Sequence, residues 1–269
     1  MIGSSPLRKG DERLLTGGGR FLDDLARDGL LHLGVVRSAH AHARIVSVAI
    51  DAARRLPGVV AAWSAADLGT VTPNVPTAYG GTQKGRVWAQ PVLARDVVRH
   101  VGEPVAIVVA ESLTQLADAL DAVTVEYAPL PPLATAEASL ASAARLHEGW
   151  PDNTAIVARG AVGDAESAMA GAHLVVRERL RHPRLSSAPI ETRGVVAYRD
   201  RDNGTLVVSS STQSPYTLRD VVAAALGLPV EEVRVVVPDV GGGFGPKGPI
   251  YPEEVLVAGG GHQAGPPGR

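Results

Sequence analysis

The 269-residue chain predicts an α+β fold in two parts, and three observations carry that reading. Short apolar or alternating runs of strand length are interleaved with short helical stripes rather than gathered in one repeating unit. A helix with both ends marked, "SPYTLRDVVAAALGLP", stands between two valine-rich runs, "TLVVSSST" and "VEEVRVVVPDV". Between the halves, residues from Pro129 to about Asp152 shift to an Ala- and Pro-rich composition that reads as a linker.

In chain order, Gly17 to Gly19 form a loop before "RFLDDL", in which Asp23 and Asp24 read as turn or capping residues. "LLHLGVVRS" and the alternating "ARIVSVAI" read as strands. "DAARRLPGVVAAWS" reads as a short helix, a Pro-Gly break and a third strand. Residues Thr70 to Lys84, rich in Gly, Pro, Thr and Asn, read as a long loop. "EPVAIVVAES" has the β-branched content of a buried strand. In the following "SLTQLADALDAV", Ser112 and Gln115 have capping-box spacing, and Leu113, Leu116, Leu120 and Val123 form one apolar stripe. "VTVEY" then predicts a β–α–β unit over 104–127, closed by the proline-rich "APLPPL".

The second half opens with a short helix in "ESAMAGA" and an alternating strand in "HLVVRERLRH". "GVVAYRD" and "TLVVSSST" flank Asn203-Gly204, a hairpin signal. Ser214 is placed as N-cap, Pro215 at the first helical position, Gly227 just past the end and Pro229 beyond. The ending "GGGHQAGPPGR" is too rich in glycine and proline to continue the helix begun by "YPEEVLVA". Residues 259–269 therefore read as an aberrant tail, of the kind a frameshift near Ala258 leaves.

Composition removes several function classes. Hydrophobic residues make up 45% and charged residues 20%, as in ordinary globular proteins. A formal charge of −2 gives no electrostatic footprint for nucleic acid. No run of about 18 apolar residues suits a membrane span, and no secretory leader is visible at the N-terminus, which points to the cytoplasm. With no cysteine, the chain holds no disulfide, thiolate metal site or cysteine nucleophile.

The chemistry-bearing stretch is "VVVPDVGGGFGPKGPIYPEEVLVA", with five glycines among residues 241–248. Three readings fit it. It can be a tight turn using glycine for its dihedral freedom. It can be a dinucleotide fingerprint, since Gly243, Gly245 and Gly248 match G-x-G-x-x-G, although Pro246 and Pro249 sit where the helix should already run. It can be a backbone cradle whose N–H groups converge on an anionic or oxo-bearing cofactor. A P-loop is excluded because Lys247 follows a proline and precedes no Ser or Thr. His40 and His42, two apart on one strand, have no third metal ligand nearby in sequence; Glu191 and Arg193 read as a structural pair at the domain junction.

"GGGFGPK…YPEEVLVA" resembles the molybdopterin-binding large subunits of the xanthine dehydrogenase / aldehyde oxidase / carbon monoxide dehydrogenase family. "RLLTGGGRFLDD", "VVRSAHAHARIVSV", "LPGVVAAWSAADL", "VGEPVAIVVAES" and "VTVEYAPLPPL" resemble its a/b hammerhead domain. "IETRGVVAYRD" and "SSSTQSPYTLRDVVAAALGLPVEEVRVVVPDVGGGFGPK" resemble the opening of its first molybdenum-cofactor domain. The resemblance implies a hammerhead domain over 1–135, a linker over 136–153 and the start of a molybdopterin-binding domain over 154–258. It implies a hydroxylation carried by a molybdopterin-type molybdenum cofactor, in its cytosine dinucleotide form. Electrons would leave through an iron–sulfur small subunit holding [2Fe-2S] and an FAD-binding medium subunit. By position, Gln213 matches the glutamine that bonds a molybdenum oxo group, and Gly242, Gly243, Phe244 and Gly245 match the loop beside the metal's oxygen ligands. Gly248 stands where purine-oxidising members carry a carboxylate, which leaves aldehydes, carbon monoxide or N-heterocycles as substrates. The family's catalytic glutamate lies beyond residue 269, so no catalytic residue is expected here and the chain alone is expected to be inactive. The competing expectations are a non-catalytic scaffold for partner subunits and an NAD-dependent dehydrogenase using the glycine loop.

Overall fold

The computed structural model describes residues 2–68, 74–75, 90–157 and 160–263. Its first half places β7 (Pro104–Ala110) at the centre of a sheet, with β1 (His32–Arg37) and β3 (Val59–Ser64) antiparallel on its two edges. All seven residues of β7 are buried. Ala106, Val108 and Ala110 pack under α2 (Asp51–Arg54) and α3 (Leu113–Asp121), whereas Ile107 points the other way. Ser112 caps α3 by accepting from Gln115 N–H. A second antiparallel sheet orders β6 (Val97–Val98), β2 (Ala43–Ala49) and β8 (Thr124–Pro129).

Residues 104–127 are therefore not one parallel β–α–β unit, because β7 and β8 belong to different sheets. Both edges of β7 are already filled by β1 and β3, so the strand after α3 pairs with β2 instead. Within the stretch expected as a long loop, Asn74–Val75 forms β4, paired with β5 (Gln90–Pro91). The remainder of Thr70–Lys84 lies outside the described residues.

Between the halves, Thr135 caps α4 (Ala136–Ala141); near the start of the chain, α1 (Asp11–Leu15) and a 3-10 turn at Leu22–Asp24 precede β1. The Asn153 amide donates to Ser139 O at 3.0 Å and Ala144 O at 2.9 Å, folding residues 139–153 into a closed loop. The short helix α5 (Ala165–Ala170) follows, capped by Asp164.

"HLVVRERLRH" forms no strand. The segment stays exposed, with Leu174 at 76%, Val176 at 72% and Leu180 at 80% accessibility, and Arg179 and Arg181 pair with Glu137. Alternation supplies the two faces of a strand, but a ladder needs a neighbouring edge, and no described strand pairs with this one.

The third sheet orders β11 (Val233–Val236), β10 (Leu206–Ser210) and β9 (Val195–Arg199). β9 and β10 form the expected hairpin, but as a longer loop than Asn203-Gly204 alone requires. Asp200 N–H donates to Thr205 O at 2.8 Å, and only Gly204 takes positive φ, at 73°. Among the described residues, the parallel β–α–β unit is here: β10, α6 (Pro215–Leu226) and β11. Pro215 opens α6 and Gly227 ends it in the left-handed conformation, while Ser214 makes no side-chain capping bond.

The last helix, α7 (Pro252–Gln263), corrects the expectation that glycine halts it at Ala258. Tertiary contact overrides propensity there. A Cβ at Gly261 would lie 2.8 Å from the Ala197 backbone, so the glycine allows α7 to lie directly on β9. Residues 264–269 lie outside the described residues.

The two halves do not own separate main cores. One buried cluster joins Ala65, Val75, Val92, Leu93 and Ile107 to Leu206, Val208, Leu218, Val222, Val233, Val255 and Leu256. This core holds β10 and β11, and hence the loops at their ends, against the first half.

Candidate cofactor site

β10 and β11 run parallel side by side, and their C-terminal ends lead to Gln213 and to the glycine loop respectively. Crevices at the carboxyl ends of parallel strands are where α/β folds place ligands, because the loops there converge. Gln213 N–H donates to Lys247 O at 2.8 Å, and Thr212 Oγ1 donates to the same carbonyl at 3.3 Å. Gly245 N–H donates in turn to Gln213 Oε1 at 3.2 Å. The structure thus brings Gln213 together with Gly243, Phe244 and Gly245, residues about 30 positions apart in sequence. Gln213 is exposed, and among the described residues its Nε2 has no hydrogen-bond partner.

The loop depends on glycine in two ways. Gly242 and Gly245 have φ of 100° and 98°, in the left-handed region. A Cβ on Gly243 would lie 2.7 Å from Gln213 Cδ and 2.8 Å from its Oε1. Phe244, although not glycine, has φ of 49° and is 72% exposed. A bulky residue held strained and turned to solvent is the kind of outlier that clusters at ligand sites. Gly243→Ala is expected to push the exposed Gln213 side chain aside and break its bond from Gly245 N–H, at a stability cost of only about 1 kcal/mol, because a flexible side chain yields easily. Calorimetry, with the Gln213 side-chain amide resonances read by NMR, checks both effects.

Glu191 organises the loop from beside it. Its Oε2 accepts from Gly241 N–H at 2.8 Å and from Lys247 Nζ at 2.7 Å, and its Oε1 accepts from Leu22 N–H at 3.4 Å. Lys247 is 1% exposed. Burial alone would raise the Glu191 carboxyl, but the bonds from Lys247, Gly241 and Leu22 outweigh it and hold the group below its ordinary range. Glu191 and Arg193 are accordingly structural but not each other's partners: Arg193 lies over the Tyr251 ring, 3.4 Å from its centroid, and 3.9 Å from Glu253. Tyr251 OH donates to Pro246 O at 2.6 Å, tying the loop's far end to the start of α7.

The Glu191–Lys247 pair escapes a sequence reading. Lys247 registers there only as a failed P-loop lysine, and its carboxylate lies 56 residues away. A lysine among glycines and prolines with no role toward phosphate is the one local signal of a buried ion pair.

The His40 ring meets Tyr127 at a tilt of 51° with ring centroids 4.8 Å apart, and His42 Nδ1 lies 2.9 Å from Pro131 O. Among the described residues no three His, Cys, Asp or Glu side chains gather in a group able to hold a metal ion. Asp24 accepts from Phe21 N–H at 2.8 Å, the capping role expected for it. The dinucleotide reading fits poorly. The fingerprint needs a helix opening directly from its glycines, whereas α7 starts only at Pro252 after further turns.

Two family models match the chain. Residues 16–131 match the aldehyde oxidase and xanthine dehydrogenase a/b hammerhead domain, and residues 146–269 match the molybdopterin cofactor-binding domain. The chain belongs to the molybdenum hydroxylase family, with these two domains in the order its large subunits carry them. It is 39% identical over 259 residues to the nicotine 6-hydroxylase large subunit of Paenarthrobacter nicotinovorans, covering 96% of this chain and 31% of that protein. It is 36% identical to the carbon monoxide dehydrogenase large chain of Hydrogenophaga pseudoflava, covering 93% of this chain and 32% of the relative. The crystal structure of quinoline 2-oxidoreductase from Pseudomonas putida 86 superposes with a TM-score of 0.87 at 39% identity, over 98% of this chain and 33% of that one. The chain thus spans about one third of the length of these relatives.

Proposed function

We propose that the chain is part of the large subunit of a molybdenum-dependent hydroxylase or dehydrogenase that oxidises an aldehyde, carbon monoxide or an N-heterocycle. The observation that carries this reading is the joining of Gln213 to the glycine loop at the ends of β10 and β11, with its amide Nε2 left exposed beside Phe244 and Gly245. The residues present fit a molybdopterin-type cofactor: a loop in which Phe244 alone among residues 241–245 carries a Cβ, on one side, and an amide donor on the other suit metal-bound oxygen ligands. When bound, that cofactor supplies the two-electron oxidation of the substrate carbon.

This chain's own residues bind and orient. Gln213 would donate from Nε2 toward an oxygen of the cofactor, while its Oε1, held by Gly245 N–H, fixes the side-chain rotamer. Gly242, Gly243, Phe244 and Gly245 would bring main-chain atoms close to the same group, and the exposed Phe244 ring would shield its neighbourhood from water. None of these groups titrates near neutral pH, so they position and do not transfer protons. The general base of the reaction is expected outside residues 1–269.

The cytosine dinucleotide form of the cofactor, FAD and [2Fe-2S] on partner subunits, and a cytoplasmic location belong to this proposal. Among the described residues no helix is long and apolar enough to cross a membrane. The test is to purify the complex that carries this chain and assay it for molybdenum, for CMP released by acid, and for flavin and iron. About one molybdenum and one CMP per chain is the expected result. Flavin and iron without molybdenum would leave a non-catalytic scaffold and overturn the reading.

A further inference from the structure

The start and flank of the glycine loop are held by residues that precede β1. Arg13, on α1, presents its guanidinium fork to Asp239, with Nη2–Oδ1 at 2.6 Å and Nη1–Oδ2 at 2.7 Å. The fork is fixed in advance, because Arg13 Nη1 also donates to Gly18 O at 2.7 Å and Gly18 N–H donates back to Arg13 O at 2.7 Å. Asp239 accepts a third bond from Arg20 N–H at 2.8 Å, and its own N–H donates to Arg20 O at 2.9 Å. Two residues beyond Asp239, Gly241 exchanges two bonds with Glu191, and Glu191 reaches back to Leu22 N–H. Leu22, 6% exposed, lies against Gly194, where a Cβ would be 2.4 Å from Leu22 Cδ2.

An isolated exposed ion pair contributes little, but a bidentate pair set in a network with main-chain bonds is the exception. The charge on Asp239 is secure: the Arg13 guanidinium and the Arg20 N–H hold its carboxyl well below the usual range. The network ties residues 13–22, far from the loop in sequence, to Asp239 and Gly241.

We propose that the segment Arg13–Leu22 is a clasp on the cofactor loop, with Arg13 and Asp239 as positioning residues that set where Gly243–Gly245 stand relative to Gln213. Neither residue touches the cofactor in this proposal; both act through the backbone of residues 239–241. The proposal rests on the molybdenum-cofactor reading for its meaning, but its test is made on the 269-residue chain without cofactor, so either can fail alone.

Amide hydrogen exchange is followed by mass spectrometry in the wild type, Arg13→Ala, Asp239→Asn and the double variant, with Arg219→Ala as a control on a surface pair of α6. Arg13→Ala and Asp239→Asn are each expected to speed exchange across residues 241–248 about tenfold, with residues 104–121 unchanged. Because the two variants break one shared interaction, the double variant is expected to match the larger single effect rather than their product. Unchanged exchange in the loop, an equal rise over 104–121, the same loop effect in Arg219→Ala, or multiplicative singles would each overturn the clasp.

Discussion

Glu191→Ala is expected to lower the unfolding free energy by about 3–5 kcal/mol, because it leaves a fully buried lysine without its carboxylate. Lys247 Nζ lies 2.7 Å from Glu191 Oε2, and Lys247 is 1% exposed, so water cannot replace the lost partner without opening the loop. Urea denaturation measures the loss. A double variant, Glu191→Ala with Lys247→Met, is expected to recover much of it by removing the stranded charge. Acidification titrates the same interaction. The folded-state pKa of Glu191 is lowered from its ordinary value of 4.5, so its contribution is complete above that value and is lost as pH falls through the lower folded value. Glu191→Gln is expected to lack that part of the acid sensitivity. Equal urea midpoints for wild type and Glu191→Ala would show that the pair does not hold the loop.

The second large effect is at Leu93, which is 0% exposed and belongs to the first half by sequence. Its cluster includes Leu206, Val208 and Leu256 from the second half. Leu93→Ala is expected to cost about 2–5 kcal/mol through lost burial and the cavity left behind. Because the cavity opens into a shared core, amide exchange in β10 should rise as much as exchange in β7. A rise confined to β7 would mean that the halves unfold separately.

Much of the fold was legible wherever the signal is local. The cap at Ser112, Pro215 opening α6 and Gly227 ending it, and the all-apolar β7 are short-range features, and each sits where the sequence places it. What escaped depends on partners. "VTVEY" is a strand, but joining it to β2 rather than β7 follows from β7 having both edges occupied. "HLVVRERLRH" alternates like a strand and pairs with nothing described. α7 runs through three glycines because Gly261 fits against Ala197. In the site, the family motif pointed to Gln213 and the glycine loop together, and the bond from Gly245 N–H to Gln213 Oε1 shows the two in contact. Glu191 and Arg13 stand inside stretches that resemble the family, but their ion-pair partners lie 56 and 226 residues away and no local pattern names them.

The unpaired stretch after α5 bears on how the chain behaves in solution. Read as a strand, it would show Leu174, Val176 and Leu180 with Glu178 on one side and Arg177, Arg179 and Arg181 with Val175 on the other. Two copies laid edge to edge in an antiparallel pair would set those arginines against one another, and like charges directly opposite are unfavourable. In such a pairing the basic side would oppose self-association, as gatekeeper charges on an exposed edge do. Electrolyte weakens that guard: as the screening length shortens to about 3 Å at 1 M, the repulsion fades while the attraction between apolar sides does not.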